Sequence, residues 1–419
     1  MQRKLLNTYF FFVFLLTAQP CNILNITDVG NPLTVVITLL FSTLMCIRCK
    51  TVNFAWKRLV CISVLMALWG FLQYVLLQQS PSPLIFVELF VAFTIFYIYQ
   101  DDLFERFEKL SVKLATISIF LWIICLVAYE PMYSLAKAIG SPGATESQSI
   151  YIFSVPNYIG NRGFLLRNCG YSWEPGRFSC MLIIALWFNI LRTNLNFKDR
   201  NFIILTLALI SSQSTTGYLI YILMISLYFI FNKKWNPIYL IIGCFAVMFI
   251  MTLPFMREKI ESLMFDEEKM ELSMQNMEYT ARQDAFNGFY VPQRFEGYMY
   301  QLVNFEHSNK IIGDGRNFSN FYINKALGFP IVVSEGIINI FIRYGIIIAL
   351  LMYYSLFRSS LQIGLRFPGR GHFLFFVLFL GLSFSYYLWA APIFMTLWLW
   401  SYWSGTMQTN TVKKTIKYN

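Results

Sequence analysis

Apolar residues in this chain neither alternate with polar ones nor recur as a single stripe. They fall in separated runs of roughly 15 to 20 residues, about the length that crosses the hydrocarbon of a bilayer. Twelve runs are read in order: Leu5 to Ala18, Leu33 to Ile47, Leu59 to Leu77, Leu84 to Tyr99, Leu114 to Tyr129, Phe178 to Leu191, Phe202 to Ser211, Gly217 to Phe231, Ile238 to Met256, Ile331 to Phe357, His372 to Leu388 and Ile393 to Trp403. Several fall short of a full span, so their helices must extend into flanking polar residues. A bilayer offers the backbone no hydrogen-bond partners, and runs this long and apolar satisfy their own as helices rather than as barrel strands. The pattern predicts an all-α polytopic membrane protein.

The basic residues give a second test of the same count. With a cytoplasmic N-terminus, 20 of the 33 Lys and Arg fall in the inner segments. The four short outer connections, Gln19 to Pro32, Gln78 to Pro83, Ser212 to Thr216 and Trp389 to Pro392, hold none. Both chain ends are expected in the cytoplasm. Two outer segments are long, Glu130 to Arg177 with 48 residues and Arg257 to Pro330 with 74. Connections of that length usually bind or react with something. The expected organisation is therefore five helices over 1–129, a first large loop over 130–177, four helices over 178–256, a second large loop over 257–330, three helices over 331–403 and a cytoplasmic tail over 404–419.

Composition closes off other classes. Of 419 residues, 57% are hydrophobic and 13% charged, against about 25% charged in an ordinary soluble domain. The formal charge of +11 is no sign of nucleic acid, because the Lys and Arg sit in short loops between apolar runs. Arg3 and Lys4 before the first run resemble a secretory signal, but no small-x-small cleavage site precedes Gln19. Cys46 and Cys49 form a single C-x-x-C without a second pair, which does not make a zinc site. Cys21 and Cys169 both fall outside and could bridge. No inverted repeat of the transporter kind is visible.

The candidate chemistry lies in the outer segments. The chain has two histidines, His307 and His372, no outer D-x-D pair, no P-loop and no dinucleotide fingerprint. A reaction without metal, nucleotide or other cofactor is expected. Outward-facing arginines remain: Arg162, Arg167 and Arg177 in the first loop, and Arg257, Arg282, Arg294 and Arg316 in the second. A guanidinium forks onto phosphate oxygens, so these fit a lipid diphosphate at the interface, although the second loop is net acidic. In Arg167-Asn-Cys-Gly-Tyr-Ser-Trp-Glu174-Pro175-Gly176-Arg177, Pro175 suits the first turn of a helix and Glu174 its N-cap. The carboxylate either caps that helix or takes a proton from a sugar hydroxyl. Ser211-Ser-Gln-Ser-Thr215-Thr216-Gly217 is a polar turn that either caps the next helix or holds a phosphate or sugar. Arg294-Phe-Glu-Gly-Tyr298-Met-Tyr300, followed by Gly313-Asp-Gly315-Arg316, reads as an aromatic and basic surface for carbohydrate and phosphate.

On these residues the chain resembles the bacterial O-antigen polymerase and O-antigen ligase superfamily. The segment from Arg167 to Arg177 is similar to the polymerase pattern of an Arg, a Gly and then Glu-Pro-Gly leading into a helix. The stretch from Arg294 to Gly315 looks like that family's loop pattern of an Arg followed by Gly-x-Gly, and Arg343-Tyr344-Gly345 is similar to the helix that follows it. The resemblance covers nearly the whole chain. It implies a membrane-embedded, metal-independent glycosyltransferase of the GT-C type, about twelve helices with two large periplasmic loops, in the bacterial inner membrane. The substrate implied is an undecaprenyl-diphosphate-linked oligosaccharide, with a chain-length regulator and a flippase as pathway partners.

A polymerase moves the growing glycan to the nonreducing end of the next lipid-linked repeat; a ligase moves it to lipid A-core. Ligases usually carry Ser-Arg-Gly in the polar turn, where this chain has Thr215-Thr216-Gly217, and a His just before the helix after the large loop, where it has Ser334 and Glu335. Both departures favour the polymerase. The expected diphosphate ligands are Arg167, Arg177, Arg282, Arg294 and Arg316. The base is Glu174, then His307, then Glu335 in order of preference, and Thr215, Thr216, Tyr298 and Tyr300 are expected to touch glycan or phosphate. From a different class, a transporter of lipid-linked oligosaccharides would place charges along a pathway within its spans, where only Glu88, Arg343 and Glu335 qualify.

Overall fold

A computed structural model describes residues 2–19, 32–49, 52–79, 82–142, 147–150, 152–156, 166–231, 292, 294–328, 331–367 and 373–405. The chain is built almost entirely of helices. Nine run in order through the first part: α1 (Gln2–Ala18), α2 (Pro32–Arg48), α3 (Trp56–Leu77), α4 (Leu84–Tyr99), α5 (Asp102–Val127), α6 (Tyr129–Ile139), α7 (Pro175–Thr193), α8 (Arg200–Ser212) and α9 (Thr215–Phe231). After the undescribed stretch come α10 (Arg294–His307), a 3-10 turn (Phe318–Asn320), α11 (Tyr322–Leu327), α12 (Ile337–Arg366), α13 (Leu374–Ser383), α14 (Pro392–Trp398) and α15 (Trp400–Ser404). Among the described residues, α3, α5 and α12 are long and apolar enough to cross a membrane. α2, α4, α8, α9 and α13 are shorter apolar helices.

Burial separates the helices by role. Every residue of α7 from Pro175 to Leu191 is buried, as expected of a helix apolar on all sides and enclosed by others. It packs on α5, α8 and α9. α3 is the opposite: Gln73 is its one buried residue, while Val60, Leu68, Phe71 and Leu76 are 57%, 62%, 64% and 57% exposed. A continuous apolar face of this size is unfavourable in water, so the arrangement is compatible with a membrane-embedded protein. From Glu174 to Arg192, α7 spans about 27 Å at 1.5 Å per residue, close to the thickness of the hydrocarbon. Its far end is held by a polar staple. Buried Glu108 accepts from Arg192 at 2.7 and 2.9 Å, from Asn189 at 2.9 Å and from Asn201 at 2.9 Å. Asp199 caps α8.

Several boundaries differ from the apolar runs. The fifth helix begins at Asp102 rather than near Leu114, because the acidic residues at its start suit a helix N-terminus. The tenth begins at Ile337, with 331–336 outside the helix. The last run is two short helices parted at Leu399. The ninth, Ile238 to Met256, lies outside the described residues. The two long connections also hold structure that hydropathy does not reveal. In the first, α6 packs on a three-stranded antiparallel sheet, β1 (Ser141–Pro142), β2 (Ser147–Ile150) and β3 (Phe153–Pro156). Ala136, Phe153, Val155 and Leu166 form its small core with Cys125 of α5.

Candidate functional site

The first candidate segment folds as its residue types dictate. Glu174 is the N-cap of α7, with extended backbone, and Pro175 follows at the first turn, where a missing N–H is harmless. The Glu174 side chain makes no capping hydrogen bond to the helix. Upstream, Asn168 fastens the segment to the bundle. Its Oδ1 accepts from Ser118 at 2.8 Å and from the Gly170 amide at 2.9 Å, and its Nδ2 donates to Ser211 at 2.9 Å. Gly170 has φ 54°, and a Cβ there would lie 2.4 Å from the Phe178 ring, which makes this turn a glycine position.

This anchoring carries Arg167 to the polar turn between α8 and α9. Its Nε donates to the Ser212 carbonyl at 3.4 Å, and the side chain is half-buried. Ser214 of the same turn accepts from Ser179 of α7 at 3.0 Å and from the Gly217 amide at 3.2 Å. A Cβ on Gly217 would lie 2.7 Å from that of Ser179, so the missing side chain lets α7 and α9 approach. Thr215 and Thr216 are half-buried beside it. The Thr216 hydroxyl bonds Ser385 at 3.1 Å, and Ser334 donates to the Ser385 carbonyl at 3.0 Å. The segment after α13 thus closes the site: the Tyr386 hydroxyl sits against Gly176, where a Cβ would lie 1.7 Å from it.

Arg177 lies underneath rather than within reach. It is 2% exposed, donates to the Thr17 carbonyl at 2.8 Å, and packs 6.0 Å from the Tyr386 ring and 5.8 Å from Phe394. The residue expected from the sequence to contact the diphosphate is thus placed as a buried cation beneath the helix start, close enough to Glu174 to interact with it electrostatically.

The second segment is divided by α10. Tyr298, one turn from the helix start, packs 5.4 Å from Phe384, beside Ser385. Arg294 opens this helix, one turn before Tyr298 and at the same end of α10; its side chain lies outside the described residues, as does all of Arg282. Tyr300, expected from the sequence to touch glycan, is 1% exposed and packed in a cluster with Ile323, Ile331 and Val333. His307 is at the far end of α10, about 20 Å from Arg294 at 1.5 Å per residue, stacked on Tyr322 at 3.8 Å. The helix carries it away from Glu174.

The Gly-x-Gly turn has an architectural role. α12 is broken at Gly345 (φ 72°, ψ 172°), and the turn inserts there. The Asp314 amide donates to the Ile342 carbonyl at 2.6 Å, Gly315 to Arg343 at 3.1 Å, and Ile346 back to Lys310 at 2.8 Å. From α3, Gln73 donates to the Ile312 and Arg343 carbonyls at 2.8 Å each, and the Trp69 indole to those of Ile312 and Tyr344 at 3.1 and 3.0 Å. A broken helix away from water needs this replacement of its lost bonds. Arg316 is likewise committed: its two terminal nitrogens each lie 2.9 Å from Glu88, with 5% and 0% of the two residues exposed. Arg316, expected from the sequence as a diphosphate ligand, is placed as a buried, bidentate tether between this loop and α4.

Glu335 is 2% exposed and caps α12, accepting from the amides of Ile337, Ile338 and Asn339. Burial pushes its carboxyl up to about 7 against the pull of those amides. Its oxygens are occupied by backbone, which leaves it poorly placed as a base. Thr216 and Tyr298 thus meet the Phe384–Tyr386 turn, Gly176 of the Glu174 segment lies against Tyr386, and Arg167 and Thr215 belong to the adjoining polar turn, with Arg177 below. His307, Tyr300 and Arg316 do not join them.

Sequence reasoning missed Asn168, Ser385 and Tyr386, uncharged residues without a pattern. Arg343, read in the sequence as a charge within a span, is fully buried in α12, donates to Asn339 and lies 4.3 Å from the Tyr387 ring. Comparison with known proteins returns no matching family model, no matching curated protein and no matching solved structure.

Proposed function

We propose that this protein is a surface-polysaccharide polymerase of the O-antigen type, embedded through about twelve helices in the bacterial cytoplasmic membrane with its site facing the periplasm. It transfers a growing glycan from undecaprenyl diphosphate to the nonreducing end of the next lipid-linked repeat unit. The observation that carries this reading is that Arg167, Thr215 and Thr216 lie at the polar turn that packs on the start of α7, where Glu174 is the N-cap, at one end of an apolar helix bundle.

The chemistry follows from those groups. The acceptor hydroxyl oxygen attacks the anomeric carbon of the donor glycan, a new glycosidic bond forms, and the bond to the diphosphate breaks. The hydroxyl proton passes to Glu174 as general base. The electron pair leaves with undecaprenyl diphosphate, whose growing charge is offset by the Arg167 guanidinium, by Arg294 at the start of α10, and at longer range by buried Arg177. Tyr298 offers an aromatic face to a sugar. The test is the surface glycan of the host strain on a gel that resolves single repeats. Loss of the gene is expected to collapse the ladder to core plus one repeat, and Arg167→Ala to do the same at normal protein level. Long chains retained on the lipid carrier would indicate a ligase, and an unchanged profile would contradict the reading.

A further inference from the structure

A groove of about 260 Å³ runs between the outer half of α3 and the start of α4, walled by Met66, Trp69 and Gly70 on one side and by Ile85 and Phe86 on the other. Gly70, which carries no side chain, lines the gap.

Two features identify the chemistry of the occupant. First, three of the polar lining groups already bond to protein. The Trp69 indole and the Gln73 amide donate to carbonyls at the α12 break, and the terminal nitrogens of Arg316 lie on Glu88. Among the lining residues Arg316 is the sole cation, so the groove is not built to grip a phosphate. Second, it is flanked by the exposed apolar face of α3, where Leu68 and Phe71 are 62% and 64% exposed. In a bilayer, a face of this kind meets hydrocarbon.

We infer that this groove is a resident-lipid site that seats one acyl chain of a bilayer phospholipid. Selection is by shape, with the headgroup left in the interface. A diphosphate-bearing carrier, which relies on charged donors for its grip, gains nothing there over an ordinary chain. The seated chain packs on Trp69, whose indole bridges two carbonyls across the break in α12, and so holds α3 against that break. The site does not depend on which reaction the protein performs.

The test uses the full chain in nanodiscs containing a phospholipid with a mid-chain diazirine. On irradiation, adducts are expected to concentrate on residues 66–74 and 82–86. Gly70→Phe, which fills the groove, is expected to lower them several-fold, whereas Leu68→Phe on the exposed face leaves them unchanged. Adducts spread evenly over α2 and α3 would overturn the proposal, and so would displacement by substoichiometric undecaprenyl phosphate, which would mark a carrier site instead. Should Gly70→Phe not fold, native mass spectrometry of the unmodified protein after detergent washing decides. One retained phospholipid is expected, and complete loss of lipid contradicts the site.

Discussion

A carboxylate at a helix N-cap normally accepts from the first backbone amides, and its loss costs about 1 kcal/mol. Glu174 occupies that position without making the bond, while Glu335, one residue ahead of its N-cap Gly336, makes it three times over. The two acids therefore separate in what their removal does. Glu174→Gln is expected to abolish glycan lengthening while the protein still folds and inserts; normal lengthening in that variant would remove Glu174 as the base. Glu335 carries a pH signature. Its folded-state value of about 7 lies above the ordinary 4.5, so between those values the native state binds the extra proton. Stability should fall as pH rises through that window, by up to about 3 kcal/mol. Melting curves at pH 5 and pH 8 measure the slope, and Glu335→Gln should flatten it.

At the scale of elements, the break in α12 and the loop that fills it form one unit. Gly345 has a φ, ψ pair open in practice to glycine alone, and a Cβ there would lie 2.1 Å from the Ile311 carbonyl oxygen. Across the contact, Gly313 (φ 78°) would place a Cβ 2.4 Å from the Gly345 amide. Either residue changed to Ala should destabilise by on the order of 2 to 4 kcal/mol, and the double variant by less than the sum, because both disrupt the same contact. Thermal unfolding of the three variants checks this. The Arg316–Glu88 pair anchors the same loop to α4. Removing one member strands a buried charge, at a cost of about 3 to 5 kcal/mol. Arg316→Met or Glu88→Leu alone should therefore lower the yield of folded protein, and the two together should recover much of it. A double variant no better than the singles would show that the pair does more than tether.

Across the whole molecule, the hydrophobic pattern located most of the helices that the structure describes. Leu84 to Tyr99 is reproduced residue for residue, and Phe178 to Leu191 is extended only by its flanks. Those runs were legible because each is continuous and bounded by polar residues. The small sheet with α6, and α10, were not, since they are amphipathic or short pieces within polar connections. The break at Gly345 lies inside an apolar run, and what satisfies it comes from α3 and from the loop after α10, contacts that no local pattern encodes. The site was half legible. Glu174, Pro175 and Thr216 sit where their residue types suggested, but arginines carry the same letter whether half-buried like Arg167, buried beneath the site like Arg177, or locked in an ion pair like Arg316. Transfer of glycan between lipid carriers by the gathered Glu and Arg can be assayed in a single reaction. Purified protein in liposomes is incubated with undecaprenyl-diphosphate-linked repeat units, without nucleotide and with chelator present. The account predicts a ladder of lengthened lipid-linked glycan that disappears with Glu174→Gln; repeat units that remain single, or that only change leaflet, would contradict it.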